Sequence, residues 1–215
     1  ELENGGSRAL NWIDYDNDGD KDLSITNVHS IAGWPVEGFH KLYNRINDST
    51  LVDVTFSSGW SMELLPVYCS AWADYNNDGW LDCYLSQRRG IDTSMNLLYR
   101  SNRDGTFTEV ATDLGVDDTQ GMTYQAVFFD YDRDGDVDLF TANDKWATHN
   151  SFFENNGDGS FTDITFSSGL GAYMEGMGVS IGDFDNNGYL DLYVANASAV
   201  DTTLDSGNKL YLNNG

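Results

Sequence analysis

The sequence predicts an all-β protein built from repeated four-stranded antiparallel sheets, and three observations predict it. A nine-residue pattern recurs four times along the 215 residues. Each copy lies between two apolar runs rich in β-branched and aromatic residues, the composition of strands. The 28 Asp, 20 Asn and 22 Gly stand beside only 7 Glu, a bias toward turns and oxygen ligands and away from helix formers.

The pattern reads DYDNDGDKD at 14–22, DYNNDGWLD at 74–82, DYDRDGDVD at 130–138 and DFDNNGYLD at 183–191. Copies starting at 14, 74, 130 and 183 are 60, 56 and 53 residues apart, which suits four short strands per unit. The first strand precedes the loop as ALNWI, CSAWA, AVFF and GVSIG; the second follows it as LSITN, CYLSQ, LFTAN and LYVAN. A third reads KLYNR, NLLYR, SFFEN and KLYLN. A fourth reads LVDVTF, FTEVAT and FTDITF, after turns such as Arg103-Asp104-Gly105 and Gly157-Asp158-Gly159.

Strands apolar on both faces expect a covering sheet on either side, as in the ring of blades of a β-propeller. The repeats are placed at approximately 1–59, 60–115, 116–169 and 170–215, as one propeller domain or part of a larger ring. The last blade is expected to lack its outer strand. An unpaired edge of that kind invites pairing, either by a longer array or by another segment.

Composition narrows the function classes. With 35 acidic against 11 basic residues the net charge is -24 and the pI near 4.1, so phosphate backbones and anionic lipid surfaces are repelled and nucleic acid is excluded as a partner. No run approaches the roughly 20 apolar residues of a membrane span, so no membrane insertion is expected. The chain opens on Glu1 without a signal-peptide pattern, so an export signal is expected to have been removed or to lie outside this sequence. Cys69 would face about position 87 on the neighbouring strand, too far from Cys83 for a disulfide.

Positions 1, 3, 5 and 9 of each loop offer side-chain oxygens, and position 6 is always Gly (Gly19, Gly79, Gly135, Gly188), which permits the turn that folds them around one point. The ligand sets are Asp14, Asp16, Asp18 and Asp22; Asp74, Asn76, Asp78 and Asp82; Asp130, Asp132, Asp134 and Asp138; and Asp183, Asp185, Asn187 and Asp191. Position 7 varies (Asp20, Trp80, Asp136, Tyr189), as expected if its backbone carbonyl is the ligand. Converging carboxylates would repel one another without a cation, and hard all-oxygen ligation selects Ca²⁺ over Mg²⁺ or Mn²⁺. About four Ca²⁺, one per blade, would move the charge from -24 to -16. Metal-free hairpin turns are the plainer reading of any single loop; four with one ligand spacing argue against it. The twelfth position, Ile25, Leu85, Thr141 and Val194, excludes an EF-hand, which needs Glu there.

The D-x-D-x-D-G-x-x-D loop between strands, followed by LY-x-N, the G-x-F-T element and SSGL, resembles FG-GAP/VCBS repeats, which build the β-propeller of integrin α subunits. The form is most similar to the cartilage acidic protein and bacterial ASPIC/UnbV type. The resemblance implies a Ca²⁺-binding propeller in an extracellular, cell-surface or periplasmic protein.

In such a blade the Ca²⁺ loops crowd the lower rim, and the upper face is made by longer connections: 27–40 with Trp34, 57–66 with Trp60, 87–95 with Arg88 and Arg89, 143–150 with Lys145, Trp146 and His149, and 169–177 with Tyr173. Function tends to reside in such loops. The aromatics could stack on a sugar or anchor a protein, or else pack beneath their own loops; the arginines could meet an acidic ligand or offset local charge; and the histidines match no metal spacing. No catalytic residues are expected, since nucleophile and metalloprotease motifs are missing. A polysaccharide lyase using Lys145, Arg88, Arg89 or His149 is the weakest alternative. Asn47 and Asn196 match the N-glycosylation pattern and fall in expected turns.

The expected function is a Ca²⁺-stabilised extracellular recognition or adhesion module for a protein or glycan ligand. The alternative is a fibre subunit that assembles head to tail by strand complementation.

Overall fold

The computed structural model describes residues 6–28, 40–60, 66–87, 95–119, 121–144, 148–197 and 207–215. Each repeat folds into an antiparallel sheet whose strands pair in chain order. The first holds β1 (Gly6–Ile13), β2 (Asp22–Val28), β3 (Lys41–Asn47) and β4 (Thr50–Asp53). The second holds β5 (Val67–Ala73), β6 (Asp82–Gln87), β7 (Leu97–Ser101) and β8 (Phe107–Glu109). The third holds β9 (Thr123–Phe129), β10 (Asp138–Asn143), β11 (Ser151–Asn155) and β12 (Phe161–Asp163). The fourth has three described strands, β13 (Gly176–Gly182), β14 (Asp191–Asn196) and β15 (Lys209–Tyr211).

The first strands of consecutive sheets touch: β1 meets β5, β5 meets β9, and β9 meets β13. Among the described residues no contact of like extent joins β13 back to β1. The core therefore lies between sheets. One cluster, with Ile13, Tyr15, Leu42, Trp60 and Cys83, separates the first two sheets; Tyr75, Tyr84, Leu98 and Phe153 stand in the next, and Phe129, Phe140, Phe152 and Val194 in the last. Strands β6 and β10 are buried along their whole length, as expected of strands covered on both faces.

Polar clips fix the register. The residue ahead of each third strand accepts the N–H at the end of the second strand: His40 Nδ1 from Asn27, Asn96 Oδ1 from Gln87, Asn150 Oδ1 from Asn143 and Asn208 Oδ1 from Asn196. Cys69 pairs with Ser86 and Cys83 with Trp72, so both thiols are free, as the strand register requires.

The fourth strands are shorter than expected. FTEVAT keeps only Phe107–Glu109 as strand and continues as a helical turn, α1 (Ala111–Leu114). The cause is local: Glu109 Oε1 accepts Ala111 N–H at 2.7 Å and turns the chain away from the ladder. Asp53 and Asp163 do the same to Thr55 and Thr165, and those threonines return their hydroxyl oxygens to Leu42 N–H and Phe152 N–H at 2.9 Å.

Candidate metal centres

Each nine-residue loop is a hairpin tip between the first two strands of its sheet, and the same bonds fold all four. The position-1 aspartate accepts the position-6 glycine N–H, at 3.2 Å for Asp14, 2.7 Å for Asp74, 3.2 Å for Asp130 and 2.9 Å for Asp183. The four glycines have φ between 87° and 97°, a region L side chains rarely adopt. The position-5 side chain accepts the position-7 N–H in every loop.

The position-9 aspartates are buried at the loop base, and both oxygens of each accept backbone N–H groups. Asp22 receives Tyr15 and Arg45, Asp82 receives Tyr75 and Ser101, Asp138 receives Tyr131 and Asn155, and Asp191 receives Phe184 and Asn213. Burial pushes the carboxyl of Asp22 up to about 6 and those of Asp82 and Asp138 up to about 7, outweighing the donated hydrogen bonds that pull them down. These residues tie the loop to the third strand as well as facing the acidic cluster.

Three loops gather carboxylates tightly. Asp14, Asp16 and Asp18; Asp130, Asp132 and Asp138; and Asp183, Asp185 and Asp191 each bring oxygens within 4.8 Å of one another. In the first loop, Oδ1 of Asp14, of Asp16 and of Asp20 is shielded from solvent with no hydrogen-bond partner. Unpaired buried acceptors are costly, and three on one loop fit a cation. Asp20 thus turns its side chain inward, where only its carbonyl had been expected. Burial, then Asp18, raises the Asp16 carboxyl.

The second loop differs. Its Asp74, Asn76, Asp78 and Asp82 form no such three-carboxylate group among the described residues. Arg103, in the turn between β7 and β8, places its guanidinium 3.1 Å from Asp78 Oδ2. That contact puts the third-to-fourth-strand turn on the same edge as the acidic loop, the arrangement expected of the lower rim.

Position 4 of the loops, not singled out by the sequence reading, links neighbours. Asn17 Nδ2 donates to Gly79 O at 2.7 Å, and Asn77 Nδ2 to Asp136 Oδ1 at 2.5 Å. Arg133 stands 5.2 Å over the Tyr189 ring. All three have positive φ, between 53° and 67°. Asn tolerates this region, so an Asn ahead of the Asp-Gly or Asn-Gly step was the readable signal. Asp134 and Asn187 keep the position-5 role described above, while Trp80 borders the first loop beside Tyr15 and Asp16.

Only part of the expected ligand face falls among the described residues. Trp34, Arg88, Arg89 and Trp146 lie outside the described residues. Trp60 is corrected: it is 0% exposed and stacks on Trp72 at 6.0 Å between the first two sheets. His149 and Tyr173 do come together, through an isolated β-bridge and a ring contact of 5.6 Å. Phe166, missed in the sequence, lies 4.8 Å from the His149 ring and is 65% exposed; Tyr173 is 47% exposed. Asn47, expected in a turn, is corrected: it is the exposed last residue of β3, paired with Thr50, and its Oδ1 accepts Ser49 N–H at 3.1 Å. Asn196 is corrected: it ends β14, half-buried, with its amide donating to Gly207 O, because strand pairing continues to that residue.

Consecutive antiparallel sheets, three of four strands and one of three described strands, each tipped by an acidic hairpin loop, define a repeat protein of β-blades. The FG-GAP-like repeat family matches residues 74–141 and 130–194. These spans cover more than half of the chain, which belongs to the FG-GAP-like repeat family. No curated protein matches it. Repeats of this family often bind Ca²⁺, and the acidic groups described above could hold a metal.

Proposed function

We propose that this chain is a Ca²⁺-braced recognition module that works outside the cell, at its surface or in the periplasm, and binds a protein or glycan. The observation that carries the cation reading is the trio of shielded, partnerless carboxylate oxygens in the first loop. Oxygen-only donors favour Ca²⁺. The first, third and fourth loops are the stronger sites. The second is the weakest, because among the described residues its carboxylates do not converge as those of the other three loops do and Arg103 already neutralises Asp78. Extracellular modules typically hold Ca²⁺ with Kd of about 10⁻⁴ to 10⁻³ M, so such sites would fill outside a cell.

The exposed rings of Phe166 and Tyr173 around His149 favour a stacking contact with a sugar or an aromatic anchor of a protein. This reading is binding, not catalysis, since the clustered carboxylates are committed to loop folding and cation ligation. Calorimetric titration of EGTA-treated protein should find at least three calcium sites, and absence of binding at millimolar Ca²⁺ would overturn the metal reading. A glycan array probed with and without Ca²⁺ tests the recognition reading. Ca²⁺-dependent signals that fall on Phe166→Ala and Tyr173→Ala support it.

A further inference from the structure

Neighbouring acidic loops are joined along the rim by the side chains at position 4. Asn17 stands between Asp16 and Asp18 and donates through Nδ2 to Gly79 O at 2.7 Å; Gly79 lies between Asp78 and Trp80 of the next loop. Asn77 stands between Asn76 and Asp78 and donates to Gly135 O at 3.5 Å and to Asp136 Oδ1 at 2.5 Å, in the loop after that. Each clip therefore runs from the ligand-bearing segment of one loop to that of its neighbour. At the third junction an arginine, Arg133, stands over the Tyr189 ring instead.

The two loops joined by the first clip are differently prepared for a cation. In the first, Asp14, Asp16 and Asp18 already converge, and Oδ1 of Asp14 and of Asp16 is shielded without a hydrogen-bond partner. In the second, every side-chain oxygen of the four ligand positions accepts a hydrogen bond. Asp78 N–H goes to Asp74 Oδ1 at 2.9 Å and Asn76 Oδ1 at 3.1 Å, and Gly79 N–H to Asp74 Oδ2 at 2.7 Å. Trp80 N–H goes to Asp78 Oδ1 at 2.9 Å and Arg103 Nε to Asp78 Oδ2 at 3.1 Å, while Asp82 is held by Tyr75 and Ser101. A cation entering the second loop must draw oxygens out of an arrangement that is already satisfied, whereas one entering the first meets oxygens that lack a partner.

We propose that the cation sites are coupled, and that Asn17 and Asn77 are the positioning residues through which the filled first and third loops order the second. The inference rests on the calcium reading above. A cation in the first loop fixes Asp16 and Asp18, hence Asn17 between them, and the Asn17 amide then holds the Gly79 carbonyl in place. A cation in the third loop does the same from the other side, because Asn77 is anchored on Gly135 and Asp136. The second loop is thus ordered before its own cation arrives, and linkage makes the effect reciprocal. Charge alone gives the opposite sign, since a cation in one loop repels a second cation in the next. The sign of the coupling separates the two.

Nuclear magnetic resonance of the full chain labelled with ¹⁵N-glycine tests it, since Gly19, Gly79, Gly135 and Gly188 place one amide in each loop. EGTA-treated protein is titrated with calcium chloride. We expect the Gly79 signal to move only after those of Gly19 and Gly135, along a curve steeper than single-site binding. Asn17→Gly keeps the positive φ of 56° and every charge but removes the amide; it should raise the calcium concentration at the Gly79 midpoint by about fivefold or more and leave the Gly188 midpoint unchanged. Asn77→Gly should act on Gly79 in the same way. Asn186→Gly, the equivalent change in the fourth loop, should leave Gly79 as in the parent. A Gly79 midpoint unmoved by both Asn17→Gly and Asn77→Gly, a Gly79 curve no steeper than single-site binding, a silent Gly79 beside three responding loops, or an equal shift at all four glycines would overturn the coupling while the metal reading stands. No response at any of the four at millimolar Ca²⁺ would overturn both.

Discussion

At the residue scale, the position-9 aspartates separate two roles that the loop motif merges. Asp138 holds two backbone N–H groups, from Tyr131 and Asn155, whereas Asp132 accepts a single backbone N–H, from Asp134. Asp138→Ala should therefore cost about 2–4 kcal/mol even in EGTA, since two buried donors lose their acceptor. Asp132→Ala should leave EGTA stability within about 0.5 kcal/mol while weakening calcium binding by roughly tenfold or more; urea unfolding and calcium titration separate the two. The same carboxyls set a pH dependence. Asp82 and Asp138 ionise near 7 in the folded chain against an ordinary 3.8. The folded state thus holds the extra protons between those values, so stability from these groups is full below about pH 4 and declines up to about pH 7. In EGTA the melting temperature should be lower at pH 8 than at pH 5, and calcium, which binds the ionised carboxylates, should remove that fall. A higher melting temperature at pH 8 in EGTA would contradict the assignment.

At the element scale, the short fourth strands are ended by a carboxylate and continued by a hydroxyl. Thr165 Oγ1 takes the buried Phe152 N–H where a backbone carbonyl would otherwise serve. Thr165→Val keeps the volume and removes that acceptor, and should destabilise by about 1–2 kcal/mol in urea unfolding. The loop turn makes a different demand. A Cβ at Gly135 would meet nothing within 4 Å, yet φ is +97°, so Gly135→Ala should cost about 1 kcal/mol or more from backbone strain alone. Gly135→Asn, a residue that visits positive φ more readily, should cost less.

At the scale of the whole molecule, stability is shared between inter-sheet cores and a chain of contacts along the acidic rim, from Asn17 to Gly79 and from Asn77 to Asp136. A net charge of -24 works against compaction. At free calcium ten times Kd each site adds about 1.4 kcal/mol, so three sites should raise the melting temperature by about 10 °C for a domain of this size. Scanning calorimetry with calcium and with EGTA measures the difference; superimposable curves would remove calcium as a stabiliser. Raising the ionic strength in EGTA should recover part of the loss, because screening weakens repulsion among exposed carboxylates.

The sequence by itself determined the repeat, the position of every hairpin loop, the all-β class and the free thiols, because those follow from strand periodicity, turn residues and ladder register, which are local. It also marked the acidic ligand positions, since one spacing recurred at 14, 74, 130 and 183. Only the tertiary structure decided what depends on how sheets face one another. It placed Trp60 between the first two sheets, because an indole is buried wherever two blades leave a slot, and no pattern within one repeat carries that information. It set Arg103 on Asp78 and made the second loop unlike the others, since the two residues are 25 apart and meet only when the third-to-fourth-strand turn folds back to the rim. It joined Phe166 to His149 and Tyr173. Side-chain chemistry written along one strand reaches its own sheet; which surface is covered is a property of the neighbouring sheet.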